Sequence, residues 1–463
     1  MQEPKIPIID KPVSNLTIVK VKSDFCEGLS FNLEGLKRVG TVLILHGWIV
    51  DPDKQLASIV LGNPGASKGI DLRNRLVRFA RPDVVTAYNG PGANILTHYG
   101  FAAIVEDGPV SEKIIQLAVA LVATNGNAYI ESLRVVRLDT REDSLSSIIG
   151  IIPDTVMTAD RCQKFYHPIF KAITSSAPAP VDACDEIHGR PVADPELSII
   201  IPLYGETRFE LIQIQSLAAL RTSTWEFIFA VDDPRILDVV RVNTRRLAQL
   251  HDITIRIVAP TQNQGFSGIN NFAASKARGK NLLFLNSDCF IGRREPIEKA
   301  MKWLDQDRAG AVGFRLTYAD KTIQHDGMSV SRWNGDFAFL LNDHPRRGLP
   351  ANLIPRHPTH DDVSLLTAAC LMVPTQVFKN VRGFALDYVR GDFEDSDLCL
   401  KIMAAGLALG IVREDGLFHL ERQTIGEQEG GLRQKITLVN AFIYTRKWKA
   451  TLERRLPNLE VVA

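Results

Sequence analysis

The alternation of apolar and polar positions changes character near residue 195. Before it, short strand candidates run over Val39–Ile49, Leu56–Leu61, Ala102–Glu106, Ile114–Ala123 and Tyr129–Leu138, separated by Gly-Pro and Asn-Gly turns. That spacing predicts an all-β sandwich over residues 1–140, with Arg81-Pro82-Asp83-Val84 and Tyr99-Gly100-Phe101 as loop anchors. Residues 141–195 read as a connector: a helix over Arg161–Thr174, then a Pro-rich linker through Ala177-Pro178-Ala179-Pro180 and Arg190–Pro195. Beyond it, buried-type runs (Leu197–Pro202, Trp225–Val231, Thr254–Val258, Asn281–Leu285) alternate with helical stretches (Arg208–Leu220, Ile269–Arg278). Strands alternating with helices predict an α/β domain over residues 196–425, its sheet doubly wound and mostly parallel. Arg332–Asp362 has little periodicity and reads as a long loop over the site. A helix follows Phe393 and ends at Gly406, and residues 426–463 hold a C-terminal helix.

Composition narrows the class. A chain of 463 residues with 45% hydrophobic and 23% charged positions is an ordinary globular protein of more than one domain. A formal net charge of +1 gives no general attraction to nucleic acid. The six cysteines are scattered without a C-x-x-C, which argues against structural zinc and a disulfide framework. Residues 1–20 lack the pattern of a secretory leader, and the apolar runs are too short to span a bilayer. The expectation is a cytoplasmic protein.

The chemistry gathers at strand ends, where open α/β sheets bind ligands. The first strand ends at Pro202 and leads into Leu203-Tyr204-Gly205-Glu206. The second ends in Asp232-Asp233, where Asp233-Pro234 also reads as a helix start. Another ends in Asn286-Ser287-Asp288. Neither a P-loop nor a strand-linked G-x-G-x-x-G is present, so a diphosphate held here needs a metal. Asp288 is a hard oxygen ligand of the kind Mg²⁺ or Mn²⁺ prefers. Further on, Glu394, Asp395 and Asp397 crowd the first turn of one helix, where the dipole stabilises acids. Crowded acids raise one another's pKa, which suits a general base.

The stretch Asn263 to Phe290 resembles the nucleotide-sugar half of family 2 glycosyltransferases, which have the GT-A fold. Asn263, Gly265, Phe266, Gly268, Asn270, Asn271, Gly279, Asn286 and Asp288 carry the likeness. Asn286 stands at the first acidic position of the family's metal motif, leaving Asp288 as its carboxylate. The resemblance extends through Ile323-Gln324-His325-Asp326-Gly327, Thr367–Val373 and Val381–Phe384 to Glu394-Asp395-Ser396-Asp397-Leu398, and covers about residues 196–425. Arg382, Ala385 and Leu386 depart from the family pattern, which bears on the acceptor. The likeness implies that Asp395 is the catalytic base, with Glu394 beside it on the acceptor and Asp397 holding the loop. It implies a donor site from Pro202, Tyr204, Glu206, Asp232, Asn263, Gly265, Phe266, Asn270, Asn286 and Ser287. It also implies a metal on Asp288 and His419.

The expected protein is thus an inverting, metal-dependent enzyme of bacterial surface polysaccharide synthesis. Its substrates are a nucleoside-diphosphate sugar and a glycan or lipid-linked acceptor. A nucleotidyltransferase and a non-catalytic carbohydrate-binding protein are the alternatives. In the N-terminal half, Trp48, Tyr88 and Tyr99 read as packing residues, with a sugar-stacking platform as the other reading. Lys435, Arg446, Lys447, Lys449, Arg454 and Arg455 make the C-terminal helix basic. They are not confined to one face, so it reads as packed on the catalytic domain, with peripheral membrane attachment as the alternative.

Overall fold

The computed structural model describes residues 17–19, 22–64, 69–89, 94, 97–106, 114–138, 141–153, 156–175, 179–205, 207–220, 222–334, 338–354, 365–420, 430–455 and 460–462. The chain forms two compact units, one of residues 1–176 with 431–435, the other of residues 177–430 with 436–463.

The first unit contains β1 (Thr17–Val19), β2 (Ser30–Val39), β3 (Val42–Val50), β4 (Leu56–Gly62), β5 (Ile70–Asp71), β6 (Leu76–Phe79), helix α1 (Pro82–Asn89), β7 (Gly100–Val105), β8 (Gln116–Ala123) and β9 (Asn127–Arg137). The strands run in the order β5-β4-β8-β9-β2-β3-β7-β6, with β1 also on β9. Strand β9 pairs first with β8 and then, from Val135, with β2. Alternate residues of β3 (Leu43, Leu45) and β8 (Leu117, Val119, Leu121) share one core with Phe25 and Phe101.

Two expectations for this half change. Val39–Ile49 is not a single strand, because Gly40 at φ 52° turns the chain and makes β2 and β3 a hairpin. Arg81–Val84 is not a loop anchor but the start of α1. Pro82 takes the first helical position, where a missing N–H costs nothing, and Asp83 suits the helix dipole. Trp48 packs against Tyr88 of α1, ring centroids 5.4 Å apart. Helices α2 (Arg141–Ile149), α3 (Ala159–Arg161) and α4 (His167–Ser175) complete the unit, and α4 packs on β2 and β3 through an apolar face that includes Ile169 and Phe170.

The second unit opens with β10 (Asp182–His188), inside the stretch read as linker. It pairs antiparallel with β13 (Ile255–Pro260) and is pinned by Arg256–Asp185 (2.7 Å) and Arg241–Glu186 (2.8 Å). Its charged, mostly exposed sequence is that of an edge strand, which hides it from an apolar-run reading. Between them lie β11 (Leu197–Leu203), α5 (Arg208–Leu220), β12 (Trp225–Val231) and α6 (Leu237–His251). The chain continues through α7 (Gly265–Lys276), β14 (Asn281–Leu285), β15 (Cys289–Ile291), α8 (Glu295–Leu304), β16 (Ala309–Phe314), β17 (Leu316–Thr317) and β18 (Ile323–His325). It ends with β19 (Ser329–Asn334), β20 (Ala338–Asp343), β21 (Cys370–Pro374), α9 (Thr375–Asn380), α10 (Glu394–Ala404), β22 (Ala408–Val412), β23 (Leu417–His419), α11 (Gly430–Arg455) and β24 (Glu460–Val462).

The main sheet has eight strands in the order β10-β13-β12-β11-β14-β21-β16-β22. Its parallel ladder β13-β12-β11-β14 meets the antiparallel β21 at β14, and β16–β22 are parallel again. Odd-numbered residues of β11 (Leu197, Ile199, Ile201) pack with Ile214 and Leu217 of α5, Val240 of α6 and Ile297 of α8. Helices α7 and α9 lie on other parts of the sheet, where Phe284, Phe378 and Phe384 form a ring cluster with centroids 5.0 to 5.5 Å apart. The sheet is therefore α/β and doubly wound. A small sheet, β15-β23-β17-β18, stands beside it.

The expected long loop over Arg332–Asp362 is in part a hairpin, β19–β20, with β24 on its edge. Residues 335–337 and 355–362 of that loop, like Glu206, lie outside the described residues. Helix α7 begins before the expected Ile269, since Asn263 Oδ1 accepts from Gly265 N–H at 3.0 Å and starts the turn there. Helix α7 ends at Lys276, short of the expected Arg278, and Gly279 has another role. A Cβ on it would lie 2.5 Å from Ser198 N and Oγ, so a bare backbone is needed for β11 to pass. Among the described residues, no helix is long and apolar enough to cross a membrane.

Candidate active site

The strand ends of the parallel ladder are tied to one another by backbone. Asp232 N–H, at the end of β12, donates to Leu203 O at the end of β11 (2.9 Å). Its buried carboxylate accepts from Gln264 N–H at 2.6 Å, drawing the Asn263–Gly265 turn to the same edge. Asp233, not Asp232, caps the helical turn that follows, accepting from Arg235 N–H at 3.0 Å. Gly265 holds φ 68°, a conformation that other side chains rarely adopt. Pro202 pairs with Ala230 in the sheet, and Tyr204 beyond it is 38% exposed.

Two further residues expected at the donor, Asn270 and Phe266, make contacts within the protein. Asn270 is fully buried in α7 and donates to Phe266 O at 2.9 Å. Phe266 packs edge-on to Phe384, with centroids 5.9 Å apart. Asn271 takes both backbone groups of Phe384, at 2.8 and 2.9 Å.

Asp288 and His419 are far apart in sequence and adjacent in space. The register of β15 on β23 places Cys289 opposite His419, and Leu420 N–H donates to Asp288 O at 3.1 Å. His419 Nε2 then lies 3.3 Å from Asp288 Oδ1, both side chains under 10% exposed. The turn Asn286–Asp288 is held from α5: Gln213 Nε2 donates to Asn286 O and Cys289 O, both at 2.8 Å. A carboxylate oxygen and an imidazole nitrogen side by side suit a divalent ion. His419 Nδ1, buried and without a hydrogen-bond partner among the described residues, leaves Nε2 as the nitrogen facing Asp288. Among the described residues no third His, Cys, Asp or Glu joins them.

Next to β17, β18 carries His325, which is fully buried and shares a 3.2 Å contact with His344. Burial, reinforced by His344, His419 and Arg413, holds the His325 imidazole well below its ordinary range, and so neutral. Asp326 next to it is buried among Arg315, Arg346 and Arg413, at 2.7 to 3.2 Å. The segment that resembled a family motif thus buttresses β23.

The acids of α10 have different roles. Asp397 is fully buried and meets Lys447 Nζ (2.6 Å), Trp448 Nε1 (2.8 Å), Lys401 Nζ (3.1 Å) and Tyr388 Oη (3.2 Å). Asp395 is half-buried; it accepts from Ser396 N–H at 2.7 Å and Ala368 N–H at 3.4 Å. Burial pushes its carboxyl above the ordinary range, the two N–H groups oppose this, and the charge of Asp392 adds to it. The expected mutual repulsion within the Glu394-Asp395-Asp397 cluster is therefore not the main cause. Glu394 is buried at the same helix start.

Sequence reading missed Gln213 and the backbone of Ala368–Ala369. Ala369 O accepts from Asn286 N–H at 2.9 Å while Ala368 N–H reaches Asp395. One dipeptide thereby joins the metal-type pair to the raised carboxyl. Arg390, Gly391, Asp392 and Phe393, just before α10, all have positive φ (57°, 87°, 82° and 123°). Each non-glycine residue there costs on the order of 1–3 kcal/mol, a strain typical of functional sites.

Residues 198–355 match the model of glycosyl transferase family 2, so the chain carries a domain of that family. An uncharacterized protein, y4gI, of Sinorhizobium fredii is 25% identical over 256 residues, 55% of this chain and 28% of its own length. The O-antigen biosynthesis protein RfbC of Myxococcus xanthus is 31% identical over 173 residues, 36% of this chain and 13% of its length. The match thus spans little more than a quarter of the first relative and about an eighth of the second. Among solved structures, the mannosyltransferase PcManGT of Pyrobaculum calidifontis, in complex with GDP-Man and Mn²⁺, is similar at 16% identity and a TM-score of 0.37. That alignment covers 63% of this chain and 81% of that one. TarS of S. aureus with UDP-GlcNAc gives 13% identity and a TM-score of 0.35, over 56% and 75%.

Proposed function

From a family 2 glycosyl transferase domain at residues 198–355, we infer that this chain is an inverting, metal-dependent glycosyltransferase. It moves a sugar from a nucleoside-diphosphate donor to a hydroxyl of a glycan or lipid-linked acceptor. The observation that carries the reading is the juxtaposition of two chemistries: the Asp288–His419 pair, and the raised carboxyl of Asp395 joined to it through Ala368–Ala369. The likeness to RfbC, an O-antigen biosynthesis protein, supports a place in surface polysaccharide synthesis.

The donor's nucleotide lies across the strand ends, with Asp232 and the Asn263–Gly265 turn on one side and Asn286–Asp288 on the other. Asp288 Oδ1 and His419 Nε2 would hold Mg²⁺ or Mn²⁺, which supplies positive charge to the leaving diphosphate. Asp395 accepts the proton of the acceptor hydroxyl. The acceptor oxygen bonds to the anomeric carbon from the face opposite the diphosphate, the carbon–oxygen bond to phosphate breaks, and its electron pair leaves on the nucleoside diphosphate. A raised pKa brings the carboxylate closer to neutral pH, where a base accepts a proton more readily. Glu394 lies beside the base to receive the acceptor.

The test is incubation with a panel of nucleoside-diphosphate sugars and Mn²⁺, reading free nucleoside diphosphate and the anomeric configuration of the product. Release from one donor with inversion is expected. Release from none, or transfer of the nucleotide instead of the sugar, would overturn the reading.

A further inference from the structure

The four residues that lead into α10 take a conformation that side chains avoid, and something must hold them there. The holding groups come from α11. Asn440, fully buried, sets its amide against the run: Oδ1 accepts from Val389 N–H at 3.1 Å, and Nδ2 donates to Val389 O at 2.9 Å and Gly391 O at 2.8 Å. A side-chain amide carries an acceptor and two donors in one plane, which is what two peptide carbonyls and an N–H require. From the preceding turn of the helix Thr437 Oγ1 donates to Asp392 Oδ2 at 2.6 Å, and from the next Tyr444 lays its ring on Phe393, centroids 5.0 Å apart. Phe393 is the residue of largest φ, and its carbonyl accepts from Asp397 N–H at 2.8 Å, the first bond of α10. Asp395 is two residues beyond it.

We propose that Asn440, seconded by Thr437, is a positioning residue for catalysis: it clamps the left-handed run Arg390–Phe393 so that the start of α10 presents Asp395 to the acceptor. This rests on the reading of Asp395 as the base. The amide acts on the acceptor side alone, because the donor pair Asp288–His419 is set by β15 and β23, which α11 does not supply. The C-terminal helix is thereby part of the acceptor machinery and not only a support.

The experiment uses the full chain and three variants: Asn440→Leu, which keeps volume and loses the amide; Asn440→Asp, which keeps an acceptor for Val389 N–H and loses both donors; and Thr437→Val. Amide hydrogen exchange is followed over residues 389–397, alongside kcat and donor KM with the active donor. Asn440→Leu is expected to speed exchange there about 100-fold, since buried carbonyls lose their donors. It should lower kcat by a similar factor and leave donor KM within about threefold. Asn440→Asp should fall between it and the wild type. Unchanged exchange in Asn440→Leu overturns the clamp, and faster exchange with unchanged kcat makes Asn440 merely structural and overturns positioning. If Asn440→Leu does not fold, Thr437→Val decides, with about tenfold faster exchange and a matching fall in kcat expected and no change overturning the proposal. Should the wild type turn over no donor, the reading of the site falls, and exchange still decides whether the clamp exists.

Discussion

Replacing Asp397 by Asn separates the structural acid of α10 from Asp395, the proposed base. Asp397 is fully buried, and its four partners differ in what they lose. Trp448 and Tyr388 keep an oxygen acceptor but exchange a charged one for a neutral one, a weakening of about 1 kcal/mol each. The Lys447 side chain is 36% exposed and can turn to water, so its loss is small. The Lys401 side chain is 18% exposed, its pKa is already pushed down by burial, and Gly383 O at 2.6 Å would be its remaining partner of those described here. Its stranded charge costs about 1–2 kcal/mol, below the 3–5 typical of a broken buried pair. The sum is about 3 kcal/mol, or about 100-fold in the opening equilibrium. Urea unfolding with hydrogen exchange over residues 388–401 and 444–450 measures it. A loss below about 0.5 kcal/mol would refute the reasoning and show the cluster to behave as a surface ion pair.

Asp395→Asn should lower transfer by about 10²–10⁴-fold with nucleoside-diphosphate affinity nearly unchanged, read by initial rates and calorimetry. Because the Asp395 pKa is raised, the wild-type rate should fall as pH drops through a value above the ordinary carboxylate range of about 4, and the variant should lack this limb. By the same sign the native state binds more protons in that window. Stability contributed by Asp395 is therefore present at low pH and lost as pH rises through the folded pKa. Chelation by EDTA should stop turnover and Mn²⁺ restore it, and Asp288→Ala or His419→Ala should each weaken nucleoside-diphosphate binding with metal present, so full activity in chelator would remove the metal role. A chain shortened to begin at Ala193 loses β10 with its Asp185 and Glu186 ion pairs, whereas one beginning at Ala179 keeps them. The first should melt at a lower temperature by calorimetry, and equal melting would show β10 to be dispensable.

How much could be read in advance follows from where the signal lay. The parallel ladder β13-β12-β11-β14 was legible because its strands are buried on both faces and read as continuous apolar runs, such as Trp225–Val231. Strand β10 was not, because an edge strand of Asp, Glu and His is stabilised by ion pairs that composition disguises as a linker. The acids at the start of α10 were visible as residues, but not their division of labour. Only the fold brings Lys447 and Trp448 to Asp397 while leaving Asp395 to two backbone N–H groups and the Ser396 hydroxyl. Asn440 carried no signal at all. An amide in a helix is unremarkable until the backbone it faces is seen to be left-handed.

The Ala368–Ala369 dipeptide has a consequence for how such a site can diversify. The reach from proton acceptor to carboxylate–imidazole pair is spanned by main-chain groups and fixed by the pairing of β14 with β21, which every side chain at those positions inherits. On the proposed reading, exchanges around Arg382 would alter which hydroxyl is admitted without resetting that reach. Selection on the acceptor and selection on the donor would then act on separable parts of the chain, and a new linkage could arise while the reach is handed down unchanged.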